Sequence, residues 1–130
     1  MDNGIPADGS APRGGRDVFH TECSARQMLD HVTSRWGIWV LLRLHEQRPL
    51  RFYELRDRIG GISEKMLSQT LRNLVQDGLV WREVEPDTPP KVAYGLTPLG
   101  GGLCGHLAAM LDWIEANAEN TGDGAQPAGT

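Results

Sequence analysis

The stretch FYELRDRIGGISEKMLSQTLRNLVQDGLVWREVEPDTPPKVAYGLT, residues 52–97, decides the fold. Phe52, Leu55 and Ile59 recur at helical spacing, so a helix is expected from Arg51 to Ile59. Gly60 and Gly61 supply the positive backbone angles of a sharp reversal, and Ser63 follows as a natural N-cap. In the next helix, Ser63 to Gln76, the residues Leu67, Leu71, Leu74 and Val75 form one apolar stripe. A step of about 100° per residue sets Lys65, Gln69, Arg72, Asn73 and Gln76 on the opposite side, with Met66 at the border. Gly78 ends that helix. Leu79–Glu85 and Val92–Leu96 then read as strands, joined by Pro86-Asp87-Thr88-Pro89-Pro90, a connection too rigid for helix. Helix, turn, helix, hairpin is the order of a winged helix-turn-helix, in which one helix can enter the DNA major groove while the hairpin reaches the flanking backbone.

Upstream, Ala25, Met28, Leu29 and Val32 predict a first helix from about Ser24 to Thr33, with Ser24 available as N-cap. Arg35 to Gln47 is nearly saturated with apolar residues and reads as the central rod of the core, stopped by Pro49. Downstream, Thr97 can cap a last helix with Pro98 at its first position, running to about Asn117. Leu99, Leu103, Leu107, Met110 and Ile114 share one face there, and Cys104, Leu111 and Trp113 widen the apolar arc. The excess suits a second subunit. Gly100, Gly101, Gly102 and Gly105 each cost about 1 kcal/mol relative to Ala, so either the first turns fray or backbones pack closely. The expected class is α+β, mostly α: a winged helix-turn-helix with a two-stranded wing and N- and C-terminal dimerisation helices.

Residues 1–17 hold four Gly and two Pro with almost no large apolar group, and residues 121–130 are Gly, Ala, Pro and polar residues. Both are expected to be disordered tails around one domain, residues 18–120. No stretch approaches a membrane span and the N-terminus lacks a signal-peptide layout, so a cytoplasmic location and no membrane partner are expected. The net charge of −4 is unusual for a nucleic-acid binder, but the two ends of the chain supply the whole excess. From Arg35 to Arg72 eight bases stand against four acids, and this local surplus falls on the helix-turn-helix unit.

From about Cys23 to Glu115 the pattern resembles the HxlR family of bacterial winged-helix transcription regulators, within the MarR-like superfamily. The resemblance is carried by a cysteine opening the first helix, Arg35-Trp36, and Arg51-Phe52-Tyr53-Glu54-Leu55. It continues through Gly61-Ile62-Ser63-Glu64-Lys65-Met66-Leu67-Ser68, Leu71, Leu74 and Asp77-Gly78-Leu79-Val80, and ends on Pro89-Pro90-Lys91-Val92-Ala93-Tyr94-Gly95-Leu96-Thr97-Pro98-Leu99-Gly100. Thr33-Ser34 stands where many members have a Gly pair and Ala93 where an acid is common; neither lies on the DNA face. The resemblance implies a homodimer built on the first and last helices that binds an inverted-repeat operator in double-stranded DNA, often as a repressor. It also implies, for a subset of members, response to oxidants or electrophiles through the cysteine at the position of Cys23.

Lys65, Gln69, Arg72 and Asn73 carry groups suited to base edges, since Gln and Asn pair with adenine and Arg and Lys with guanine. Met66 borders them, and Ser63, Ser68, Arg51 and Lys91 are candidates for phosphate. The plain alternatives are a solvated helix face, a Ser63 that only caps and an Arg51 that is an ordinary surface residue. Arg82 could equally pair with Glu54, Glu83 or Glu85. Cys23 precedes a helix N-terminus and lies three residues before Arg26, which favours thiolate and a redox-sensing role; the alternative is a small packed apolar group. Cys104 reads as packing unless the dimer brings it to Cys23 in a transient disulfide. His20, Cys23, His31 and His106 fit no closed four-ligand pattern, so no metal and no cofactor are expected. Most of the four tryptophans read as core, with Trp36, Trp39 and Trp113 as possible walls of an effector pocket. With no Gly-rich phosphate loop, no nucleophile–base pair at a recognisable spacing and no catalytic ligand set, an enzyme is not expected. The competing reading is a winged-helix protein-interaction module with little DNA binding, which the acidic total permits.

Overall fold

The apolar run at Arg35 becomes the rod it predicts: in the computed structural model α2 spans Arg35–Glu46 and buries Val40, Leu41 and Leu44 completely. The structure describes residue 19, residues 23–46 and residues 49–125, with side chains to residue 119. Around α2 stand α1 (Ser24–Thr33), α3 (Phe52–Ile59), α4 (Glu64–Gln76) and α5 (Pro98–Ala125). The strands are β1 (Leu50–Arg51), β2 (Val80–Glu85) and β3 (Lys91–Leu96). This is a winged helix-turn-helix. The core is one cluster in which Leu55, Leu67, Leu71, Leu74, Leu79 and Cys104 close around the α2 rod.

The wing is larger than the expected two strands. Leu50 and Arg51 pair antiparallel with Tyr94 and Ala93, so the sheet runs β1-β3-β2 among the described residues. Arg51, expected to open a helix, is instead the extended N-cap of α3. Pro49 stops the helix before it and Leu50 must be buried, which leaves two residues that are best satisfied by pairing. Between β2 and β3 the register is Val80↔Leu96 through Glu85↔Lys91. Gly95 is required here, because the Trp81 indole occupies the space a Cβ would need.

At the first helix the cap is Cys23 rather than Ser24: Cys23 is extended, and its carbonyl accepts the Gln27 N–H at 3.1 Å. The start of α5 does not fray. Thr97 Oγ1 accepts the Gly100 N–H at 3.0 Å and donates to the Gly78 carbonyl at 2.6 Å, tying α5 to the end of α4. Gly100 lies directly on the Leu79 carbonyl, whereas a Cβ at Gly101, Gly102 or Gly105 would meet open space. The face of α5 turned to the core therefore follows Gly100, Cys104, Leu107 and Leu111, one step round from the predicted stripe. Leu99, Met110, Trp113 and Ile114 are left exposed. The helix continues past Asn117 to Ala125, since no proline interrupts it before Pro127. Residues 121–125, expected in a tail, extend α5; residues 1–17 and 126–130 lie outside the described residues.

The glycine contacts make opposite demands on neighbouring positions. Gly100→Ala forces a methyl group into the Leu79 backbone and is expected to cost about 1–3 kcal/mol. Gly102→Ala fills open space and is expected to raise helix stability by up to about 1 kcal/mol. Urea denaturation reads both, and equal midpoints for the two variants would contradict the close approach at Leu79.

Candidate nucleic-acid interface

The orientation of α4 is set by its two ends and its leucines. Gly60 and Gly61 have φ of 71° and 81°, and Ser63 Oγ accepts the Met66 N–H at 3.0 Å, the predicted cap. Ile62 is buried and anchors the turn. Leu67, Leu71 and Leu74 point inward as expected, joined by Thr70, whose hydroxyl donates to the Met66 carbonyl at 2.8 Å. At the far end His31 Nδ1 lies 2.7 Å from Asp77 Oδ2, linking α1 to the C-cap of α4. That link lies outside any sequence signal, because the two residues are far apart in the chain.

The outward face carries the predicted residues together. Lys65, Met66, Gln69 and Arg72 are exposed, and Ser68 and Asn73 are half-buried. They are also ordered among themselves: Arg72 Nη1 donates to Gln69 Oε1 at 2.9 Å, and Gln69 Nε2 donates to Asn73 Oδ1 at 3.1 Å. Ser68 reaches one cleft, of about 590 Å³, with Arg51, Tyr53, Pro90 and Lys91. The two remaining phosphate candidates therefore flank α4 from the side of the wing.

The cations divide into two groups. Arg51 pairs with Glu85 at 3.2 Å, Lys91 with Asp87 at 3.4 Å, and Arg56 with Glu64 at 2.8 Å and Asp57 at 3.3 Å. Hydrogen bonding to Asp57 is the leading cause that raises the Arg56 pKa above its ordinary value. Arg58, Lys65, Arg72 and Arg82 have no carboxylate partner among the described residues. Arg82 pairs with none of its three sequence candidates: Glu54 accepts the Arg51 N–H at 2.7 Å and Glu85 is held by the Arg51 side chain.

Cys23 is half-buried at the N-cap of α1. Arg26, expected to support its thiolate, donates to the Phe19 carbonyl at 2.7 Å and stands 3.9 Å from Asp30. Cys104 is fully buried in the core of the chain, with its thiol donating to the Leu41 carbonyl at 3.5 Å. His31 is engaged by Asp77, and His20 lies outside the described residues. The tryptophans correct the expectation of a mostly core role: Trp39 is 44% exposed and Trp113 63%. Both lie on faces of α2 and α5 that the chain's own core does not reach. Trp36 is half-buried, with the Arg35 guanidinium 4.6 Å from its ring centre.

Three comparisons extend this picture. The family model described as HxlR-like helix-turn-helix matches residues 31–122. The HTH-type transcriptional regulator YtfH of Escherichia coli (strain K12) is 50% identical over 101 residues, 78% of this chain and 79% of that protein. Among solved structures, a transcriptional regulator ytfH from Salmonella typhimurium is 45% identical with a TM-score of 0.74, covering 82% of this chain and 94% of its own. The redox regulator HypR in its reduced form is 35% identical with a TM-score of 0.67, covering 76% and 97%.

Because the Ser63 hydroxyl satisfies a helix-end N–H that otherwise has only water, Ser63→Ala is expected to cost about 1 kcal/mol. A thermal melt checks this, and an unchanged midpoint would show that the cap does not hold the turn.

Proposed function

The chain belongs to the HxlR-like helix-turn-helix family of transcription regulators, and on that premise we propose that it is a homodimeric repressor binding an inverted repeat in double-stranded DNA. The observation that carries this reading is the solvent face of α4, where Arg72, Gln69 and Asn73 form a hydrogen-bonded row flanked by Lys65 and Met66. Such a row presents the Gln69 and Asn73 amides to base edges, held in place by the bond from Arg72, and Met66 offers an apolar contact to a thymine methyl. Ser63, Ser68, Arg51 and Lys91 contact phosphates. Arg51 and Lys91 leave exposed carboxylates to do so, and exposed ion pairs are worth only about 0–1 kcal/mol.

Dimerisation is supported by apolar residues that stand exposed among the described residues: Leu99, Met110, Trp113 and Ile114 on α5, Leu29 on α1 and Trp39 on α2. An exposed apolar set of this kind marks an interaction surface. Two recognition helices on a two-fold axis then meet half-sites about one helical turn apart. Cys23 sits at the N-cap of α1, beside this surface in chain order and half-buried. Its modification by an oxidant or an electrophile changes the separation of the recognition helices and so releases the operator. The likeness to a redox regulator supports this sensing step, and a small effector at the dimer interface would act on the same separation.

Gel shifts on the DNA flanking the chain's own gene test the reading. Binding is expected to fall steeply with salt, and Lys65→Ala or Arg72→Ala to weaken it by about 1–3 kcal/mol where either reads a base. Salt-independent or absent binding would favour a protein-interaction module instead. Trp113→Glu is expected to give a monomer in sedimentation velocity together with weakened operator binding. In gel shifts of wild type and Cys23→Ser, each with and without a quinone, the quinone is expected to release wild type from the operator and leave Cys23→Ser bound; identical behaviour of all four samples removes the switch and leaves the regulator.

A further inference from the structure

Between α4 and β2 lies a second cleft, of about 600 Å³, whose rim carries Arg72, Arg82, Ser68 and Gln76 over a floor that includes Leu71 and Tyr94. We propose that this cleft seats a phosphate of the DNA backbone between the guanidiniums of Arg72 and Arg82. The inference rests on the DNA-binding reading and adds a site to it.

Strand geometry brings Arg82 there. Val80 and Arg82 share one face of β2, and Arg82 stands directly across from Tyr94, itself buried against the core. Glu83 alternates to the other face. The nearby acids are directed elsewhere: Glu85 shares the strand face of Glu83, opposite Arg82, and Asp77 is hydrogen-bonded to His31. Two guanidiniums thus face one cleft with no carboxylate between them, an arrangement whose mutual repulsion is relieved when an oxyanion joins both in charge-assisted hydrogen bonds. The occupant follows from the docking geometry. With α4 in the major groove and the hairpin over the adjoining backbone, the strand dividing the two grooves crosses between α4 and β2. A free inorganic oxyanion shares this chemistry, so the experiment separates the two sources.

Fluorescence anisotropy on the operator duplex across a salt series is the test. Arg82→Ala is expected to lower the slope of log K against log salt by about 1 and to weaken binding about fivefold at about 0.15 M salt. The loss is expected to be equal on operator and unrelated DNA, because a phosphate contact carries no sequence information. Arg82→Lys keeps the slope, and Glu83→Gln, on the opposite strand face, does not lower it. A wild-type slope for Arg82→Ala overturns the proposal while the DNA reading stands; loss of salt dependence in the wild type itself sinks that reading. Inorganic phosphate titrated into DNA-free protein at constant ionic strength provides the second arm. Saturable binding lost in Arg82→Ala, with the DNA slope unchanged, assigns the cleft to a small anion and also overturns the proposal.

Discussion

Burial of Leu67, Leu71 and Leu74 against the α2 rod is the constraint on which the rest of the molecule depends. Each buried leucine contributes about 1.5–3 kcal/mol relative to exposure, so the three together fix the rotation of α4 about its axis. A rotation of one residue step, about 100°, would carry the leucines out and bring the polar row in. The outward display of Gln69, Arg72 and Asn73 is therefore a consequence of what the opposite face buries. Their mutual hydrogen bonds then limit the rotamers available on that display, which reduces the ordering cost on contact with a partner.

The same helix is held at both ends by features that also position its neighbours. Asp77, its C-cap, meets His31 of α1, and Gly78 turns the chain at φ 81° so that Leu79 enters the core. The Leu79 carbonyl accepts the Thr97 N–H at 3.1 Å and lies against Gly100, while Thr97 reaches back to the Gly78 carbonyl. The end of α4, the base of the wing and the start of α5 thus share one junction built from backbone contacts. Backbone contacts of this kind leave little room for independent sliding, because the packed surfaces are close to rigid.

What could be read from the sequence, and what could not, divides by the range of the signal. The α4 stripe, the Gly60-Gly61 turn, the Ser63 and Thr97 caps and the two long strands are local patterns, and each appears where expected. β1 was invisible because two residues carry no periodicity; only Tyr94 and Ala93, more than forty positions away, make Leu50 and Arg51 a strand. Ser24 was a plausible cap by residue type, but backbone angle decides, and Cys23 has the extended one. On α5 the spacing groups Leu99, Leu103, Leu107, Met110 and Ile114 on one face with Cys104 and Leu111 as excess, whereas the core takes Cys104, Leu107 and Leu111 and leaves Leu99, Met110 and Ile114 exposed. The Gly100 approach to Leu79 selects the buried side, sending Trp113 and Met110 to the surface. The grouping of the interface residues was legible on α4 and not on the wing, since the partners of Arg51 and Arg82 depend on strand register.

Register also decides the electrostatics. The chain is acidic overall, and the helix-turn-helix segment is only modestly basic in composition. A count of charges along the chain treats all its cations alike. The folded molecule does not: Glu85 is drawn to Arg51, Asp87 to Lys91, Glu64 to Arg56 and Asp77 to His31. Each of these acids has a partner of its own, while among the described residues Lys65, Arg72 and Arg82 have no carboxylate partner. Because the field of nearby charges decays over about 8–10 Å at ordinary salt, this local arrangement outweighs the net charge of distant ends of the chain. An acidic protein can in this way present a cationic face, provided its fold directs its own carboxylates to other partners.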